Sequence, residues 1–450
     1  MGHIATLDHK YGLLQRQLER TVTGAPPSPR LLEILRLLYS KEDVELAARL
    51  PLPLTDAKRL ARRLRLPLPL LVDRLSAMAQ RGLVFDVEHE GRRYFSLAPL
   101  ALGFFEFTFM RTRGDLPQRQ LAQLFDDYMR EDAAGGIYRS VFEGPTQIGR
   151  TLVREESLSE RQTEVLDWER ASHLVKTASA IGVGLCACRH LASHLGQACD
   201  RPQRVCLTLN YAAKSLVRNG LADPVTAGEA MRILEQSKES GLVQIADNVK
   251  QRVAYICNCC GCCCEMFHAV HVGNIRNAIT SSNWIMQIDR PKCSGCGQCA
   301  SVCPMRAIAL TPAGDDAAPA GHAQTPQHQA ARLCQELCLG CGVCVAACPN
   351  RAISMSPREQ RALTPATVVE RMLLMAIERR RLADFLFDRH GPVSHRVLGH
   401  LVAILERTPL PKALAAIRPL RSIFLNAAVA ISPKPLVELT RETGDEQANR

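Results

Sequence analysis

The sequence lacks any long run of apolar residues. A membrane-spanning helix needs about 20 consecutive apolar residues, and the nearest approach, from Leu100 to Met110, is interrupted by Glu106. The segment MGHIATLDHKYGLLQRQLER at the N-terminus also lacks the apolar centre of a secretory signal peptide. We therefore expect a soluble, cytoplasmic protein with no membrane span.

Nucleotide-binding signatures are absent as well. The 450 residues contain no G-x-G-x-x-G fingerprint and no P-loop. We therefore expect no NAD or ATP site in the chain itself. The formal net charge of +11 comes mostly from dispersed arginines. Such an excess attracts acidic proteins or nucleic acid, but it is also common on ordinary solvated surfaces, so it discriminates poorly between functions.

Cysteine, by contrast, is abundant. In a reducing compartment, 19 cysteines indicate metal or redox chemistry rather than a disulfide framework. Eight of them form two C-x-x-C-x-x-C-x-x-x-C-P runs, which start at Cys293 and Cys338. The surrounding stretches CSGCGQCASVCPMRAIAL and CLGCGVCVAACPNRAISM align without gaps, so the chain contains an internal duplication.

The two runs resemble the paired motifs of bacterial-type ferredoxins that carry two [4Fe-4S] clusters. The resemblance implies a small βαββαβ domain in which the fourth cysteine of each run binds the cluster of the other run. The implied ligands are Cys293, Cys296, Cys299 and Cys348 for the first cluster, and Cys338, Cys341, Cys344 and Cys303 for the second. Zinc is the alternative, although a zinc site does not need the third and fourth cysteines at this spacing.

Short apolar segments flank the cysteine runs. Residues 284–288, Ile308 and Ile353 suit strands. Residues 311–329 are rich in Ala, Pro, Gly and His, which predicts a mobile surface insertion between the two runs. Cys334 fits no ferredoxin position.

Ten further cysteines lie upstream in two groups. They are Cys186, Cys188, Cys199 and Cys206, followed by Cys257, Cys259, Cys260, Cys262, Cys263 and Cys264. Thiolates at this density repel one another unless a cation neutralises them, so we expect a metal centre. An iron-sulfur cluster is the first interpretation and zinc is the alternative. The expected ligands are Cys186, Cys188, Cys257 and Cys259, with Cys199, Cys206 and Cys260 as further candidates.

The arrangement of these cysteines has a counterpart elsewhere. The order CACRH, two single cysteines, ICNCC and then a dicluster ferredoxin resembles a group of multidomain ferredoxin-like iron-sulfur proteins of bacteria and archaea, over about residues 171–353. This resemblance implies no particular reaction. Arg189 is placed to neutralise the charge of a cluster. His190 and His194 have the i, i+4 spacing of a metal pair, but two structural histidines on a helix are the simpler alternative.

Residues 28–99 are predicted to form a winged-helix-like domain. Ser28 and the capping pattern that begins at Ser40 mark helix starts, and Glu90-Gly91 marks a hairpin turn. Winged helices bind DNA or dock against proteins. The candidate recognition helix has few polar residues, which makes DNA a less favoured partner. Those polar residues are Asp73, Arg74, Ser76, Gln80 and Arg81.

The expected fold class is α+β and predominantly helical. The expected regions are an N-terminal tail (1–27), the winged-helix-like domain (28–99), a helical connector (100–180), a helical cysteine-rich domain (181–280), the dicluster ferredoxin domain (281–357) and a helical C-terminal region (358–450). The phenylalanines of the sequence FFEFTF at the start of the connector are expected in the core.

Together these features predict an iron-sulfur electron-transfer protein. Two [4Fe-4S] clusters, with an additional iron-sulfur centre or zinc upstream, would relay electrons to or from a redox partner protein. The chain is expected to be an electron-carrier subunit or a component of an oxidoreductase system, rather than a stand-alone enzyme. The alternatives are a redox-sensing winged-helix transcription regulator and a reductase subunit whose upstream cluster is catalytic.

Overall fold

The structure of the chain, a computed structural model, describes residues 2–131, 136–158, 166–312, 329–387, 393–408, 428–429, 432 and 434–441. Helix accounts for 47% and strand for 15% of the structure, which agrees with the predicted mixture of the two with helix predominating. No helix in these ranges is long and apolar enough to cross a membrane.

The N-terminal region combines helices with a three-stranded antiparallel sheet. Its elements are α1 (Gly2–Glu19), α2 (Pro29–Leu38), α3 (Lys41–Ala47), β1 (Thr55–Asp56), α4 (Ala57–Leu64), α5 (Leu68–Gln80), β2 (Val84–His89) and β3 (Arg92–Leu97). At the start of α2, the Ser28 hydroxyl accepts a hydrogen bond from the amide of Arg30. Ser40 and Asp43 form a capping box at the start of α3. Both helix starts lie where the sequence predicts them.

The hairpin of β2 and β3 turns at Glu90-Gly91, as the sequence predicts. Both residues have positive φ angles, of 49° and 68°. These angles are typical of a type I′ turn, whose twist matches that of the paired strands. β1 pairs with the other edge of β3, so the sheet order is β1-β3-β2.

A helical layer follows this sheet. Leu100–Phe104 is a turn with non-helical backbone angles at Ala101, Leu102 and Gly103. It leads into α6 (Phe105–Phe109), α7 (Gln118–Arg130) and α8 (Ile137–Phe142). The rings of Phe104, Phe105 and Phe109 lie with centroids 6.2, 5.3 and 5.8 Å from that of Phe125. These spacings are typical of favourable aromatic pairs. The expected core position of this phenylalanine cluster is confirmed.

A six-stranded antiparallel sheet forms the centre of the cysteine-rich region. Its strands are β4 (Gly149–Thr151), β5 (Ile181–Gly184), β6 (Cys206–Leu209), β7 (Asp223–Pro224), β8 (Val243–Asp247) and β9 (Tyr255–Cys259). The strand order is β4-β8-β9-β6-β5-β7. Every neighbouring pair is antiparallel.

This sheet corrects the prediction of a helical cysteine-rich domain, and it includes β4 from the expected helical connector. The strands are two to five residues long. All five residues of β8 are buried, including Gln244 and Asp247, so its burial does not alternate between two faces. A short, fully buried run gives no periodic signal that distinguishes a strand from a helix, which is why the sheet was missed.

Helices complete this region. They are α9 (Ala171–Lys176), α10 (Ala187–His194), α11 (Asn210–Arg218), α12 (Ala227–Glu239) and α13 (Glu265–His271). A capping box of Thr226 and Glu229 begins α12. Gly241 follows its end with a φ of 71°, a backbone conformation that glycine adopts without strain.

The duplicated cysteine runs lie in a small unit with elements in the order β-α-β-β-α-β. They are β10 (Trp284–Ile288), α14 (Gln298–Ser301), β11 (Ile308–Pro312), β12 (Gln329–Leu333), α15 (Val343–Ala346) and β13 (Ile353–Pro357). β10 pairs with β13, and β11 pairs with β12. The ends of the predicted insertion belong to strands, because Thr311 lies in β11 and Gln329 is the first residue of β12. Residues 313–328 of that insertion lie outside the described residues.

The C-terminal helices are α16 (Val368–Glu378), α17 (Leu382–Leu386), α18 (Val393–Leu405) and α19 (Lys434–Thr440). Two of them pack on the body of the protein through ion pairs. Arg371 of α16 lies 3.3 Å from the buried carboxylate of Asp247 in β8. Asp384 of α17 lies 2.7 Å from Arg20, just after α1.

The N-terminal sheet docks on α11 through a buried carboxylate. Asp86 of β2 is fully buried. It accepts hydrogen bonds from Ser215 at 3.0 Å and Asn219 at 2.6 Å, and it pairs with Arg93 and Arg218. A continuous apolar core also joins the N-terminal helices, the phenylalanine cluster and the cysteine-rich region. The N-terminal region is thus integral to the body of the protein.

Candidate metal centres

The two ferredoxin-like runs form two separate cavities. The lining of the first includes Cys293, Cys296, Cys299 and Cys348. The lining of the second includes Cys338, Cys341, Cys344 and Cys303. Each cavity therefore combines three cysteines of one run with the fourth of the other, in the sets that the ferredoxin resemblance implies.

Backbone amides face the crossing cysteines. The Sγ of Cys303 accepts a hydrogen bond from the Ala307 amide at 3.3 Å, and the Sγ of Cys348 accepts one from the Ala352 amide at the same distance. Hydrogen bonds to cluster sulfurs are one of the factors that set the reduction potential. Burial raises the pKa of Cys341 to about 12, and a bound cation would offset this cost of ionisation.

Glycines allow the cysteine turns to lie against neighbouring strands. A Cβ on Gly295 would lie 2.0 Å from the carbonyl oxygen of Gln329, and a Cβ on Gly340 would lie 2.0 Å from that of Trp284. Both glycines also have positive φ angles, of 68° and 69°. The chemistry of the donors fits as well, because soft thiolates are the ligands of iron-sulfur clusters. The residues of both cavities therefore fit four-cysteine cluster sites.

The upstream cysteines divide into two groups rather than one. A group that we call the six-cysteine centre lines one cavity together with apolar side chains. Its members are Cys186, Cys188, Cys206, Cys257, Cys259 and Cys264. They include all four of the preferred sequence candidates, together with Cys206.

Four structural elements bring the six-cysteine centre together, because Cys206 begins β6 and Cys264 precedes α13. Cys186 and Cys188 lie at the start of α10, and Cys257 and Cys259 lie on β9. Residues two apart on a strand share a face, so the side chains of Cys257 and Cys259 lie on the same face of β9. Hydrogen bonds from the thiols of Cys206 and Cys259 lower the pKa of Cys257 to about 5. A lowered pKa favours the thiolate, the form that binds metal.

The second group, which we call the four-cysteine centre, consists of Cys199, Cys260, Cys262 and Cys263. Their sulfur atoms all lie within 4.8 Å of one another. A hydrogen bond from Cys263 and the charge of Arg189 lower the pKa of Cys260 to about 3. Sequence reasoning named Cys199 and Cys260 but missed the two others. The position at which β9 ends would have identified them, because the turn after Cys259 directs the next cysteines away from the six-cysteine centre.

Arg189 lies close to cysteines of both upstream groups. Its side chain is fully buried and donates one hydrogen bond to the carbonyl oxygen of Asn258, at 3.1 Å. Its charge interacts with Cys186 of the six-cysteine centre and with Cys260 of the four-cysteine centre. This position agrees with the expectation that Arg189 neutralises negative charge from bound clusters.

The paired histidines of α10 have structural contacts. The Nδ1 of His190 lies 2.8 Å from the carbonyl oxygen of Phe109. The rings of His190 and His194 have centroids 4.7 Å apart, and both pack against the ring of Phe109. These contacts favour the simpler alternative of two structural histidines. Cys334 is exposed and donates a hydrogen bond to Glu336.

The turn between β9 and α13, which we call the upstream cysteine turn, contacts the ferredoxin-like unit. The contact lies next to Cys303, the fourth cysteine of the first run. A Cβ on Gly261 would lie 3.0 Å from the Cα of Pro304, the residue that follows Cys303. The Nε2 of His271 lies 2.8 Å from the carbonyl oxygen of Pro304. The cavity of Cys303 is therefore the one that lies beside the upstream cysteine turn.

A larger, mainly apolar cavity adjoins the six-cysteine centre. It lies between the N-terminal region, the central sheet and α16, and its lining includes Cys206 and Cys257. Glu106 lines both this cavity and the cavity of the six-cysteine centre. Burial raises the pKa of Glu106 to about 7. Its carboxylate accepts a hydrogen bond from the amide of Gly103 at 2.9 Å.

Comparison with known proteins identifies the ferredoxin-like unit. Residues 292–352 match the family model of the 4Fe-4S dicluster domain. No curated protein and no solved structure matches the chain. The matched range covers both cysteine runs and both four-cysteine cavities, and it excludes the upstream cysteines. Residues 292–352 thus form a 4Fe-4S dicluster ferredoxin-like domain.

Proposed function

We propose that the chain is an iron-sulfur electron-transfer protein in which the dicluster domain connects a redox partner with the six-cysteine centre. The contact of the Gly261 turn with Pro304 is the observation that carries this proposal. Cysteine-bound iron-sulfur clusters supply one-electron carriers, with potentials set by their surroundings. The residues of the first dicluster cavity would bind one cluster, and those of the second cavity would bind another.

The two dicluster cavities differ in their access to solvent. Cys296 of the first cavity is exposed. Each cavity has one buried cysteine, Cys299 or Cys344, but Cys303 and Cys341 of the second cavity also pack against the main apolar core. The first cavity is therefore on the side that a partner protein can approach, whereas the second is on the side of the upstream cysteines.

The six-cysteine centre would hold the additional iron-sulfur centre. Its six thiols exceed the four ligands that one cubane cluster needs, and they are enclosed by apolar side chains. Arg189 offsets the negative charge of the thiolates from within the fold. The dicluster domain, which contacts the turn that ends at Cys264, would serve as the electron carrier of this centre.

Metal analysis is the first test. Protein purified without oxygen should contain about eight irons if only the dicluster domain is loaded, and about twelve if the six-cysteine centre holds four more. A Cys259→Ser variant should lose the additional iron and keep that of the dicluster domain. An iron content that stays at eight or below in the wild type would contradict the additional centre.

Electron entry is the second test, with a Cys296→Ser variant of the whole chain. A reduced ferredoxin protein should reduce the six-cysteine centre of the wild type, followed by electron paramagnetic resonance, but not that of the variant. Dithionite, a small reductant, should reduce the centre in both. Equal rates with the ferredoxin donor in wild type and variant would contradict a path through the dicluster domain.

The large apolar cavity favours one further candidate, a reductase subunit in which the six-cysteine centre is catalytic. Ligand pockets are commonly apolar with a few convergent polar groups, and this cavity shares Cys206, Cys257 and Glu106 with the six-cysteine centre. Carbon monoxide is a suitable probe, because it binds iron that has an open coordination position. A change in the resonance of the upstream centre, with the dicluster signals unchanged, supports catalysis. No change argues for electron transfer alone.

We also propose that residues 28–99 are a winged helix that docks on the rest of the chain instead of reading DNA. Three of the five polar residues in and directly after α5 already have partners within the protein. Arg74 donates to the carbonyl oxygen of Glu42, Arg93 donates to Ser76, and Arg81 pairs with Asp43. The hairpin packs on α11 through the Asp86 network. These contacts support a docking role within a cytoplasmic redox protein.

A further inference from the structure

We propose that the four-cysteine centre binds a single Zn²⁺ ion, separate from every iron-sulfur centre of the chain. Cys199 comes from the loop after α10, whereas Cys260, Cys262 and Cys263 come from the turn between β9 and α13. This proposal does not rest on the electron-transfer function, because a zinc ion carries no electrons.

The spacing of the sulfur atoms carries the proposal. A tetrahedral zinc ion with Zn–S bonds of about 2.3 Å holds its thiolates about 3.8 Å from one another. The Sγ atoms of Cys199 and Cys260 are 3.8 Å apart, and those of Cys262 and Cys263 are 3.7 Å apart. All four lie within 4.8 Å. The chain therefore places four soft ligands around a point that one ion can fill.

The same spacing argues against a cubane cluster at this position. In a [4Fe-4S] cube each thiolate binds a different iron and points away from the centre of the cube. Ligands of four irons must then stand further apart than ligands of one ion. In the four-cysteine centre the sulfurs are at the spacing of a single ion, and their backbones lie on one tight turn and one facing loop.

The site also has the composition of a closed, structural zinc site. Four protein ligands complete a tetrahedron and leave no position for substrate or water. Among divalent first-row metals, zinc outcompetes iron at such sites, since affinity rises from Fe²⁺ towards Cu²⁺ and Zn²⁺. Three of the cysteines are buried or half-buried and only Cys262 is exposed, so the ion would lie just below the surface.

A zinc ion here would hold together two segments that are 61 residues apart in the chain. The turn that it fixes also carries Gly261, which contacts Pro304, and it ends at Cys264 of the six-cysteine centre. The ion would thus stabilise the turn that links the six-cysteine centre to the dicluster domain. Its role is structural, because none of its ligands lines the six-cysteine cavity.

The test measures zinc and iron in the full chain, purified without oxygen after growth with both metals. We expect one zinc per chain in the wild type. Cys262→Ser, at the exposed ligand, should lose zinc and keep its iron, and Cys259→Ser should lose iron and keep its zinc. Cys334→Ser is the matched control, since this exposed cysteine belongs to no centre, and it should keep both metals.

Zinc X-ray absorption of the wild type provides a readout that does not depend on how variants fold. We expect four sulfur neighbours at about 2.3 Å. Nitrogen or oxygen neighbours, iron in place of zinc, or zinc that survives Cys262→Ser and Cys263→Ser would each overturn the proposal. The proposed electron-transfer function would be unaffected by any of these results, because it depends on the iron of the other centres.

Discussion

Gly340 provides a strong test of how the dicluster domain is built. A Cβ at this position would lie 2.0 Å from the carbonyl oxygen of Trp284, and the φ angle is 69°. A left-handed backbone costs an L-residue about 1–2 kcal/mol. Forcing an extra atom into a packed site adds about 1–3 kcal/mol. Gly340→Ala should therefore destabilise the domain by about 2–5 kcal/mol in total.

Gly91→Ala is the matched control. Its φ angle is 68°, almost the same as that of Gly340, but a Cβ there would meet nothing within 4 Å. This variant should therefore lose only the backbone contribution of about 1–2 kcal/mol. The difference in destabilisation between the two variants measures the contribution of the close contact between the cysteine turn and β10.

Cluster retention is the assay for these variants. Gly340 lies between Cys338 and Cys341, so Gly340→Ala should lower the iron bound by the second cavity. Gly295 is the equivalent glycine of the first run, with its Cβ position 2.0 Å from the carbonyl oxygen of Gln329, and Gly295→Ala should affect the first cavity. Iron content and the thermal loss of visible cluster absorbance would be measured for all three variants. If Gly340→Ala behaves like Gly91→Ala, the reasoning from the close contact is wrong.

The remaining predictions concern ligation, docking and DNA. Cys348→Ser should lose the cluster of the first run. Combining it with Cys293→Ser should therefore remove no more iron than either change alone, whereas combining it with Cys338→Ser should remove both clusters. The reverse pattern would refute the binding of each run's fourth cysteine to the cluster of the other run. Asp86→Ala leaves buried donors on α11 without an acceptor and should lower the unfolding free energy by about 2–4 kcal/mol. Glu88→Ala, at an exposed partner of Arg218, should change that free energy by less than about 0.5 kcal/mol, and denaturant titration would compare the two. The whole chain should not shift DNA from its own promoter region in either redox state, and a specific shift would contradict docking as the sole role of the N-terminal region.

The dicluster domain was the part that the sequence predicted best. Its cysteine spacing is local, and the strand at residues 284–288 and the pairing segments at Ile308 and Ile353 lie where they were expected. The helix caps at Ser28 and Ser40 and the turn at Glu90-Gly91 were predictable for the same reason. Each depends on interactions between residues only a few positions apart.

The central sheet and the division of the upstream cysteines were not predictable in this way. β4 pairs with β8 across almost a hundred residues, with Gly149 opposite Asp247, and no local pattern encodes that pairing. Cys199 meets Cys260 only because the loop after α10 faces the turn after β9. Assigning ten cysteines to two centres therefore required tertiary contacts that spacing alone does not contain.

The short turn that follows β9 makes the chain unusually intolerant of changes in length. Between positions 259 and 264, the first and last cysteines belong to the six-cysteine centre, and the three between them belong to the four-cysteine centre. Deleting Gly261, or inserting one residue beside it, would shift Cys262, Cys263 and Cys264 by one position and direct them away from their centres. Evolution can therefore substitute residues around this turn, but it can hardly add or remove one, and the length of this turn should vary less than any surface loop of the protein.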